Sequence, residues 1–180
     1  MNLNWQRIPT IRAQRLTLRP FEDTDVEPLY RIYSDEEVMR YWGGGTFRQF
    51  SEAKDFLTEV KEDLKQRRCL QWAIVRQEDD ELVGTFAIFH WDLVAQKCEI
   101  GFVLGRAYWR MGYMSEAVQV ALAFAFDHLD IRRVEADVDP RNRASVRLLE
   151  RLGFKNTGTL AGAGGDSGFR NLRLAEKRVE

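Results

Sequence analysis

One segment of the chain restricts its fold more than any other: a strand-like run, a glycine-containing turn and a helix, within residues 100–126. The run 98–104 is short and apolar, as a buried strand is. The helix that follows carries small residues, among them Ala121 and Ala125, that let it lie close to a sheet. Its first turn leaves backbone N–H groups unpaired at the positive end of the helix dipole. The segment therefore predicts an anion site suited to a pyrophosphate.

The turn itself contains Gly112, which allows a ligand to approach the backbone because glycine has no side chain. Arg106 and Arg110 add positive charge at its rim. The turn is not a Walker loop, since no Gly-Lys-Ser/Thr sequence ends it, and the G-x-G-x-x-G spacing of a dinucleotide site is missing. Many strand-to-helix turns contain a glycine, so an ordinary structural turn remains open at this point.

The periodicity of the remaining chain predicts a mixed sheet with helices on its faces, in the order β-α-α-β-β-β-α-β-α-β-β. Gly84 is interpreted as the mark of a bulge, and 43–45 and 162–165 as glycine-rich turns. The predicted strands are 16–20, 70–75, 82–89, 98–104, 133–138, a strand from 154, and 169–175. The predicted helices run from Asp23 or Thr24 to about 34, from 51, from about 115 to 128, and from Asn142 to Gly153.

Length and charge limit the class of protein. The 180 residues suit a single domain over 1–180, and a formal net charge of -1 does not point to nucleic acid or an anionic membrane. The 2 cysteines, Cys69 and Cys98, form no C-x-x-C pair and are expected to be free thiols. The sequence has no secretory signal pattern and no bilayer-length apolar run. We therefore expect a cytoplasmic protein without membrane or direct nucleic-acid partners.

A second motif, Asn142-Arg143-Ala144-Ser145, opens a helix that ends at Gly153-Phe154. Asn142 has the residue type of an N-cap, Ser145 falls three residues later, and Gly153 suits the C-terminal stop. This structural account explains every residue, so the helix alone indicates no chemistry.

Together, in this order and spacing, the two motifs resemble the GNAT N-acetyltransferase superfamily. Its pyrophosphate loop, Q/R-x-x-G-x-G/A, aligns with 109–114, and its Asn-x-x-Ser/Ala helix with 142–154. The resemblance extends to the Rim-type branch of ribosomal-protein N-terminal acetyltransferases and covers about residues 15–175. That branch has counterparts of Arg15-Leu-Thr-Leu-Arg-Pro, Glu99-Ile-Gly-Phe, Tyr108-Trp109 and the run 112–117.

The resemblance implies an α/β (mixed α+β) GNAT-like fold, with a central, mostly antiparallel sheet of about seven strands, splayed in the middle and flanked by about four helices. Acetyl-CoA would lie in the splay between strands 98–104 and 133–138. Phe102 and Leu104 would pair with the pantetheine arm, the N–H of Phe102 or Val103 would polarise the thioester, and Asn142 would bond the pantetheine amide. The implied loop residues are Trp109, Arg110, Met111, Gly112, Tyr113, Met114 and Ser115, and no metal is needed.

Transfer to an amine requires a base, because only the neutral amine attacks. Glu99 is the first candidate, with a solvent-facing strand carboxylate as the structural alternative. Ser145 is a candidate to protonate the leaving thiolate, with a helix-cap role as the alternative, and Tyr113 is a weaker one. Cys98 should point away from the face of Glu99, which argues against an acetyl-cysteine intermediate.

The sequence departs from the family pattern at three positions. Trp109 stands where the wider family has Gln or Arg, and Met114 replaces a small residue, which predicts a less roomy loop. Leu149 stands where many members have a Tyr that protonates the thiolate, so that role is not transferred and the general acid stays open.

The acceptor is an amine, with a protein N-terminus favoured by the Rim-type resemblance and a polyamine, amino acid or antibiotic as alternatives. Tyr41 and Trp42 are placed in the acceptor wall or the core, and His128 at a helix C-terminus. His90 ends a strand next to Trp91, with a place in the lining of the acceptor cleft as its functional alternative. Two other classes remain, a catalytically weak acyl-CoA-binding module and a nucleotide-binding protein. Family members often form dimers, so the resemblance allows a homodimer.

Overall fold

The structure, a computed structural model, describes residues 7–160 and 169–175. Within these residues, 8 strands form one sheet in the order β1-β2-β3-β4-β5-β6-β8-β7. The strands are β1 (Ile11–Arg12), β2 (Leu16–Arg19), β3 (Cys69–Arg76), β4 (Glu81–Asp92), β5 (Lys97–Leu104), β6 (Arg133–Val138), β7 (Lys155–Leu160) and β8 (Phe169–Ala175).

The helices cover both faces of this sheet. They are α1 (Val26–Tyr33), α2 (Glu36–Met39), α3 (Phe50–Lys65), α4 (Tyr113–His128) and α5 (Arg143–Arg151), with short 3-10 turns at Asp23–Asp25 and Arg106–Tyr108. Several begin at side-chain caps: Asp35 accepts from the N–H of Glu37 at 2.9 Å before α2, and Gln49 forms a capping box with Glu52 at α3.

The central pair of strands separates partway along its length. All pairings are antiparallel except β5 with β6, which is parallel and covers Lys97↔Arg133, Cys98↔Val134 and Glu99↔Glu135. Beyond Glu99, β5 continues to Leu104 along β4, whereas β6 continues to Val138 along β8. The sheet therefore opens into a wedge immediately after the Glu99–Glu135 position.

Two hydrophobic clusters lie on opposite faces of the sheet. One packs α4 and α5 against side chains such as Trp72 and Ile100, and the other packs α1 and α3 against side chains such as Ala73 and Val103. Because side chains alternate along a strand, even-numbered residues of β5 face α4 and odd-numbered ones face α3. This alternation places Glu99 on the α3 side and buries Cys98 on the other, as the sequence predicted.

The predicted mixed sheet is confirmed, with local differences. The structure adds the two-residue β1 and the four-residue α2, begins α4 at Tyr113 rather than 115, and extends β4 to Asp92. The strand register does shift beside Gly84, where a side chain would overlap the carbonyl oxygen of Val103. The predicted turn at 162–165 lies outside the described residues.

No helix in the described part of the chain is both long and apolar enough to cross a bilayer.

Candidate active site

The edge of β5 that borders the wedge carries the backbone groups of alternate residues. The N–H of Gly105 donates to the carbonyl oxygen of Val83 in β4 at 2.9 Å. Since backbone groups alternate between the two sides of an antiparallel strand, those of Val103 also face β4, whereas those of Phe102 and Leu104 face the wedge. Of the two thioester donors predicted from the resemblance, Val103 is thus turned the wrong way, because its N–H belongs to the β4 ladder. Phe102 has the suitable orientation.

Trp109 joins the turn to the end of β5. Its indole Nε1–H donates to the carbonyl oxygen of Leu104 at 2.7 Å, and its backbone N–H donates to that of Arg106 at 3.3 Å. These bonds indicate that Trp109 shapes the turn, and its backbone N–H is already used within it.

The N-terminus of α4 presents the unpaired donors that the sequence predicted. Gly112 caps the helix with φ 81°, and Arg110 before it has φ 64°. The N–H of Glu116 bonds to the carbonyl oxygen of Gly112 at 3.1 Å, so the helical ladder begins there. The N–H groups from Gly112 to Ser115 precede that ladder and are the ones a helix offers to an anion.

Arg15, which the sequence placed only within a motif, braces this turn. Its Nε–H donates to Glu116 Oε2 at 2.8 Å and its Nη1–H to the Met111 carbonyl oxygen at 3.0 Å. Its guanidinium carbon lies 4.6 Å from the centre of the Tyr113 ring, a cation–π distance. The sequence contains both partners, an arginine before β2 and a glutamate in the first turn of α4. That they contact each other can be seen only in the folded structure, because they lie far apart in the chain.

Tyr113 and Met114 point their side chains into the protein. Both are buried in the cluster beneath α4, and Tyr113 lies against the guanidinium of Arg15. The expectation that Met114 narrows the loop is wrong, because its side chain packs in the core. Tyr113 is enclosed in the same way, which leaves its backbone N–H as its contribution to the turn.

The start of α5 is built as the sequence predicted. Asn142 Oδ1 accepts a hydrogen bond from the N–H of Ser145 at 3.2 Å, which leaves the amide NH₂ of Asn142 for another partner. Both residues are half-buried, whereas Leu149, one turn after Ser145, is 0% exposed. An aliphatic core side chain occupies the position of the family's tyrosine, so the hydroxyl nearest to it on α5 is that of Ser145.

The same helix end forms a basic groove. Its lining residues are Pro140, Arg141, Arg143, Val146, Arg147 and Glu150. Arg141 is bound to Asp139 at 2.6 Å, and its hydrogen bonds hold the pKa of that carboxyl below its ordinary value. Arg143 and Arg147 supply the remaining positive charge, which suits phosphate groups.

A cavity of about 220 Å³ lies between α3 and the strands on the odd-numbered face. It is lined by Trp42, Phe56, Glu59, Val60, Asp63, Cys69, Gln71, Thr85, Ala87, Phe89 and Gly101. The Trp42 ring covers Gly101 so closely that a Cβ there would lie 3.4 Å from the ring. Trp42 is therefore a wall of this cavity, with 38% of its surface exposed.

The two cysteines do not have the properties of nucleophiles. Burial raises the pKa of Cys69 to about 12, with added repulsion from Asp63 and Glu59, and burial raises that of Cys98 to about 12 as well. A thiolate is the nucleophilic form, so both side chains stay as unreactive thiols at neutral pH.

Glu99 borders the cavity at the apex of the wedge. It lies opposite Phe89 in the β4 ladder and two residues before Gly101, and its Oε2 is 3.1 Å from His90 Nδ1. Its partner position on β6, Glu135, is buried and lies 3.0 Å from Arg133 Nε. Two glutamates thus occupy paired positions where the strands diverge.

Other predicted residues take supporting positions. Tyr41 lies between the guanidiniums of Arg40 and Arg141, at 5.7 and 5.9 Å. His128 ends α4, as expected, with its ring 5.2 Å from that of Phe124. Among the described residues, no group of three or more His, Cys, Asp or Glu is arranged to hold a metal ion, and a metal-free reaction stays a prediction.

A splayed sheet beside a helix N-terminus that offers N–H groups to an anion is typical of a class of acyltransferase, and sequence comparison identifies the family. The profile described as "Acetyltransferase (GNAT) domain" matches residues 15–155. The chain therefore belongs to the GNAT acetyltransferase family, and it is an acyltransferase.

Curated relatives agree with this assignment. The chain is 35% identical over 151 residues to "Uncharacterized N-acetyltransferase p20" of Bacillus licheniformis, covering 84% of this chain and 85% of that protein. It is 33% identical to "Uncharacterized N-acetyltransferase YoaA" of Bacillus subtilis, covering 84% and 86%. It is 25% identical to a spermidine N(1)-acetyltransferase of Escherichia coli, covering 82% and 77%.

Solved structures share the fold. A GNAT-family acetyltransferase from Bacillus anthracis has a TM-score of 0.80 and 26% identity, over 92% of this chain and 96% of that one. Mycobacterium smegmatis RimJ in complex with CoA-disulfide has a TM-score of 0.83 and 19% identity, over 96% and 90%. RimJ therefore shares the architecture expected from the Rim-type resemblance.

Proposed function

We propose that the protein transfers the acetyl group of acetyl-CoA to a primary amine by direct attack in a ternary complex. The observation that carries this proposal is the divergence of β5 from β6 after Glu99 and Glu135. It opens the backbone groups of Phe102 and the N–H of Leu104, whose carbonyl oxygen already accepts from Trp109, next to the N-terminus of α4. An extended arm with a pyrophosphate at one end fits that combination of strand edge and helix N-terminus.

Each part of the donor has a partner in this arrangement. The N–H groups of Gly112 to Ser115 bind the pyrophosphate, Phe102 and Leu104 pair with the pantetheine arm, and the amide NH₂ of Asn142 binds one of its carbonyl oxygens. The N–H of Phe102 stabilises the oxyanion that forms on attack, a contribution worth roughly 3–4 kcal/mol for such donors. The basic groove beside α5 is open to the remaining phosphate.

Glu99 is the proposed base. It takes a proton from the ammonium form of the acceptor, directly or through a water, and the neutral amine attacks the thioester carbon. The new C–N bond forms, the C–S bond breaks, and the thiolate takes up a proton for which Ser145 is the proposed donor. The attacking nitrogen loses a second proton as the amide forms, and that proton replaces the one that Ser145 gives. One proton is released overall for each acetyl group transferred to an ammonium substrate.

For the acceptor, we propose a small amine with more than one positive charge, of the polyamine class. Glu59 and Asp63 line the cavity, with Asp63 bound to Arg68 at 2.6 Å, and Glu99 lies opposite the lining residue Phe89 on β4. The cavity and its edge therefore offer carboxylates to an incoming cation. A spermidine N(1)-acetyltransferase among the relatives supports this class. A protein N-terminal α-amine, favoured by the Rim-type resemblance, is the second candidate.

Release of the CoA thiol, measured with spermidine and with peptides that have free N-termini, tests the acceptor. The double variant Glu59→Gln/Asp63→Asn should raise the KM for spermidine without changing the Kd for acetyl-CoA. Turnover with peptides and none with polyamines would reverse the order of the two candidates.

Calorimetric titration with acetyl-CoA separates the remaining alternatives. Binding without turnover on any amine would indicate an acyl-CoA-binding module, and competition by ATP would indicate a nucleotide site. A cytoplasmic location, the single domain over 1–180 and a homodimer stay predictions that these titrations do not address.

A further inference from the structure

His90 stands where β4 departs from regular geometry. Its φ is 47°, and the register of β4 against β5 shifts between Phe89 and Asp92. In a regular strand His90 would face away from Phe89 and Glu99, on the α4 side. The left-handed backbone returns its ring to the face of Glu99, where Nδ1 lies 3.1 Å from Oε2. A non-glycine residue adopts such a conformation at a cost and keeps it where surrounding contacts hold it.

The ring lies between Glu99 and solvent. The side chain of His90 is 74% exposed, whereas that of Glu99 is 25% exposed. The imidazole also packs edge-on against Phe89, a cavity residue, with ring centres 4.9 Å apart. One end of the imidazole thus contacts the carboxylate beside the cavity while most of the ring contacts water.

We propose that His90 is a proton relay and positioning residue, which carries protons from Glu99 to solvent during amine acetylation. The proposal rests on the base role proposed for Glu99 and adds a residue that acts through it. An imidazole suits this task because its two nitrogens exchange protons near neutral pH.

The proton passes from the acceptor to water by way of Glu99 and His90. Glu99 takes one proton from the acceptor ammonium and becomes a neutral acid. Nδ1 of His90, in the tautomer that carries its proton on Nε2, accepts that proton and forms imidazolium. Water removes the Nε2 proton, which leaves a neutral ring whose Nδ1–H donates to the regenerated carboxylate. Proton exchange with water then restores the first tautomer.

Other charged groups around this pair are already matched or more distant. Glu135 contacts Arg133 at 3.0 Å and Lys97 at 3.8 Å, so its charge is balanced within the paired ends of β5 and β6. The titratable and charged groups nearest the pair on its own and neighbouring elements are Asp92, Lys97, Arg133, Glu135, Glu59, Asp63 and Cys69. The hydrogen bond between the Glu99 side chain and His90 leads toward solvent, because the His90 ring is mostly exposed.

His90→Gly is the test variant, because glycine adopts φ 47° without strain and leaves a space that imidazole can fill. We expect its kcat with spermidine, or with whichever amine the wild type acetylates, to fall about tenfold, less than the 10²–10⁴ lost with a direct base. The Kd for acetyl-CoA should be unchanged. Added imidazole at constant pH and ionic strength should restore the rate of His90→Gly and leave the wild-type rate unaffected.

Three variants complete the design. Asparagine tolerates the left-handed backbone at this position. The variant His90→Asn should therefore have the same low kcat as His90→Gly and a similar free energy of unfolding. His128→Gln, at the far end of α4, should keep the wild-type rate. The double variant His90→Gly/Glu99→Gln should not respond to imidazole.

A wild-type rate in His90→Gly, or a slow rate in a folded His90→Gly that imidazole does not change, would overturn the relay. A wild-type rate in Glu99→Gln would instead show that the proposed base is wrong, and with it the relay. Intact acetyl-CoA binding without turnover in the wild type on any amine would overturn both.

Discussion

Arg15 and Glu116, 101 positions apart in sequence, are joined by two hydrogen bonds, from the N–H of Arg15 to Oε1 at 2.6 Å and from its Nε–H to Oε2 at 2.8 Å. The residue that precedes β2 thereby holds the first turn of α4. A further bond from Arg15 to the Met111 carbonyl oxygen fixes the turn before it. The N–H groups that we propose as pyrophosphate donors are therefore positioned by a remote arginine.

Arg15→Ala should weaken acetyl-CoA binding, because the turn loses the two hydrogen bonds that the Arg15 side chain donates to it and keeps only the one from the backbone N–H. We expect the Kd measured by calorimetry to rise about tenfold, or ~1.4 kcal/mol. The free energy of unfolding should fall by about 1 kcal/mol or less, since the pair is partly exposed. The control is Arg31→Ala, which removes an exposed pair with Glu27 on α1. An unchanged Kd in a folded Arg15→Ala would contradict this role.

Gly112→Ala and Gly45→Ala form a matched pair, because both positions have a left-handed backbone, with φ 81° and 78°. Each alanine should lower the free energy of unfolding by about 1–2 kcal/mol through backbone strain. A Cβ at Gly45 would meet nothing within 4 Å, and that residue lies outside the pyrophosphate turn.

Acetyl-CoA affinity should therefore fall in Gly112→Ala and stay unchanged in Gly45→Ala. Gly112→Glu should abolish binding, because it places negative charge at the anion site. Equal affinities for Gly112→Glu and wild type would remove the turn from the donor site.

Cys98 should make stability depend on alkaline pH. Burial, followed by the charges of Glu99 and Glu135, raises the pKa of this thiol from 9.0 to about 12. The unfolded chain ionises at lower pH than the folded one, so the stabilisation is complete below pH 9 and is lost as pH rises toward 12. The slope for one group is at most about 1.4 kcal/mol per pH unit.

Urea unfolding between pH 8 and 10.5 measures this slope in the wild type and in Cys98→Ala. The free energy of unfolding of Cys98→Ala should be lower than that of the wild type at every pH, but it should fall less steeply as the pH rises. Cys69 is present in both proteins and therefore contributes equally to both slopes. Parallel curves for the two proteins would show that ionisation of Cys98 is not coupled to folding.

Leu149→Tyr should not supply the missing general acid. Leu149 lies on the buried face of α5 and is fully enclosed. A larger side chain with a hydroxyl at this position should lower the free energy of unfolding by about 1–3 kcal/mol. Leu149→Met, which conserves volume, should cost less than about 1.5 kcal/mol. We expect neither variant to exceed the wild-type kcat, measured by thiol release. A faster and equally stable Leu149→Tyr would place this position at the reacting atoms.

Most strands and helices were predictable because their signals are local. The apolar periodicity of β3 and α3, the cap at Asn142 and the glycine turn at 112 each depend on residues within one or two turns. The two-residue β1 and four-residue α2 were missed because they are too short for periodicity to register. The length of β4 was underestimated because His90 and the register shift interrupt its alternation.

The sequence by itself indicated the family, the glycine turn that we propose binds a pyrophosphate, and the candidate roles of Glu99, Ser145 and Asn142, since these follow from short motifs in a fixed order. Only the tertiary structure decided that Phe102 rather than Val103 faces the wedge, that Met114 packs in the core, and that His90 meets Glu99. Strand register and the face on which a side chain lies depend on contacts between residues far apart in the chain, as Arg15 and Glu116 are. A local pattern restricts such contacts but does not specify them.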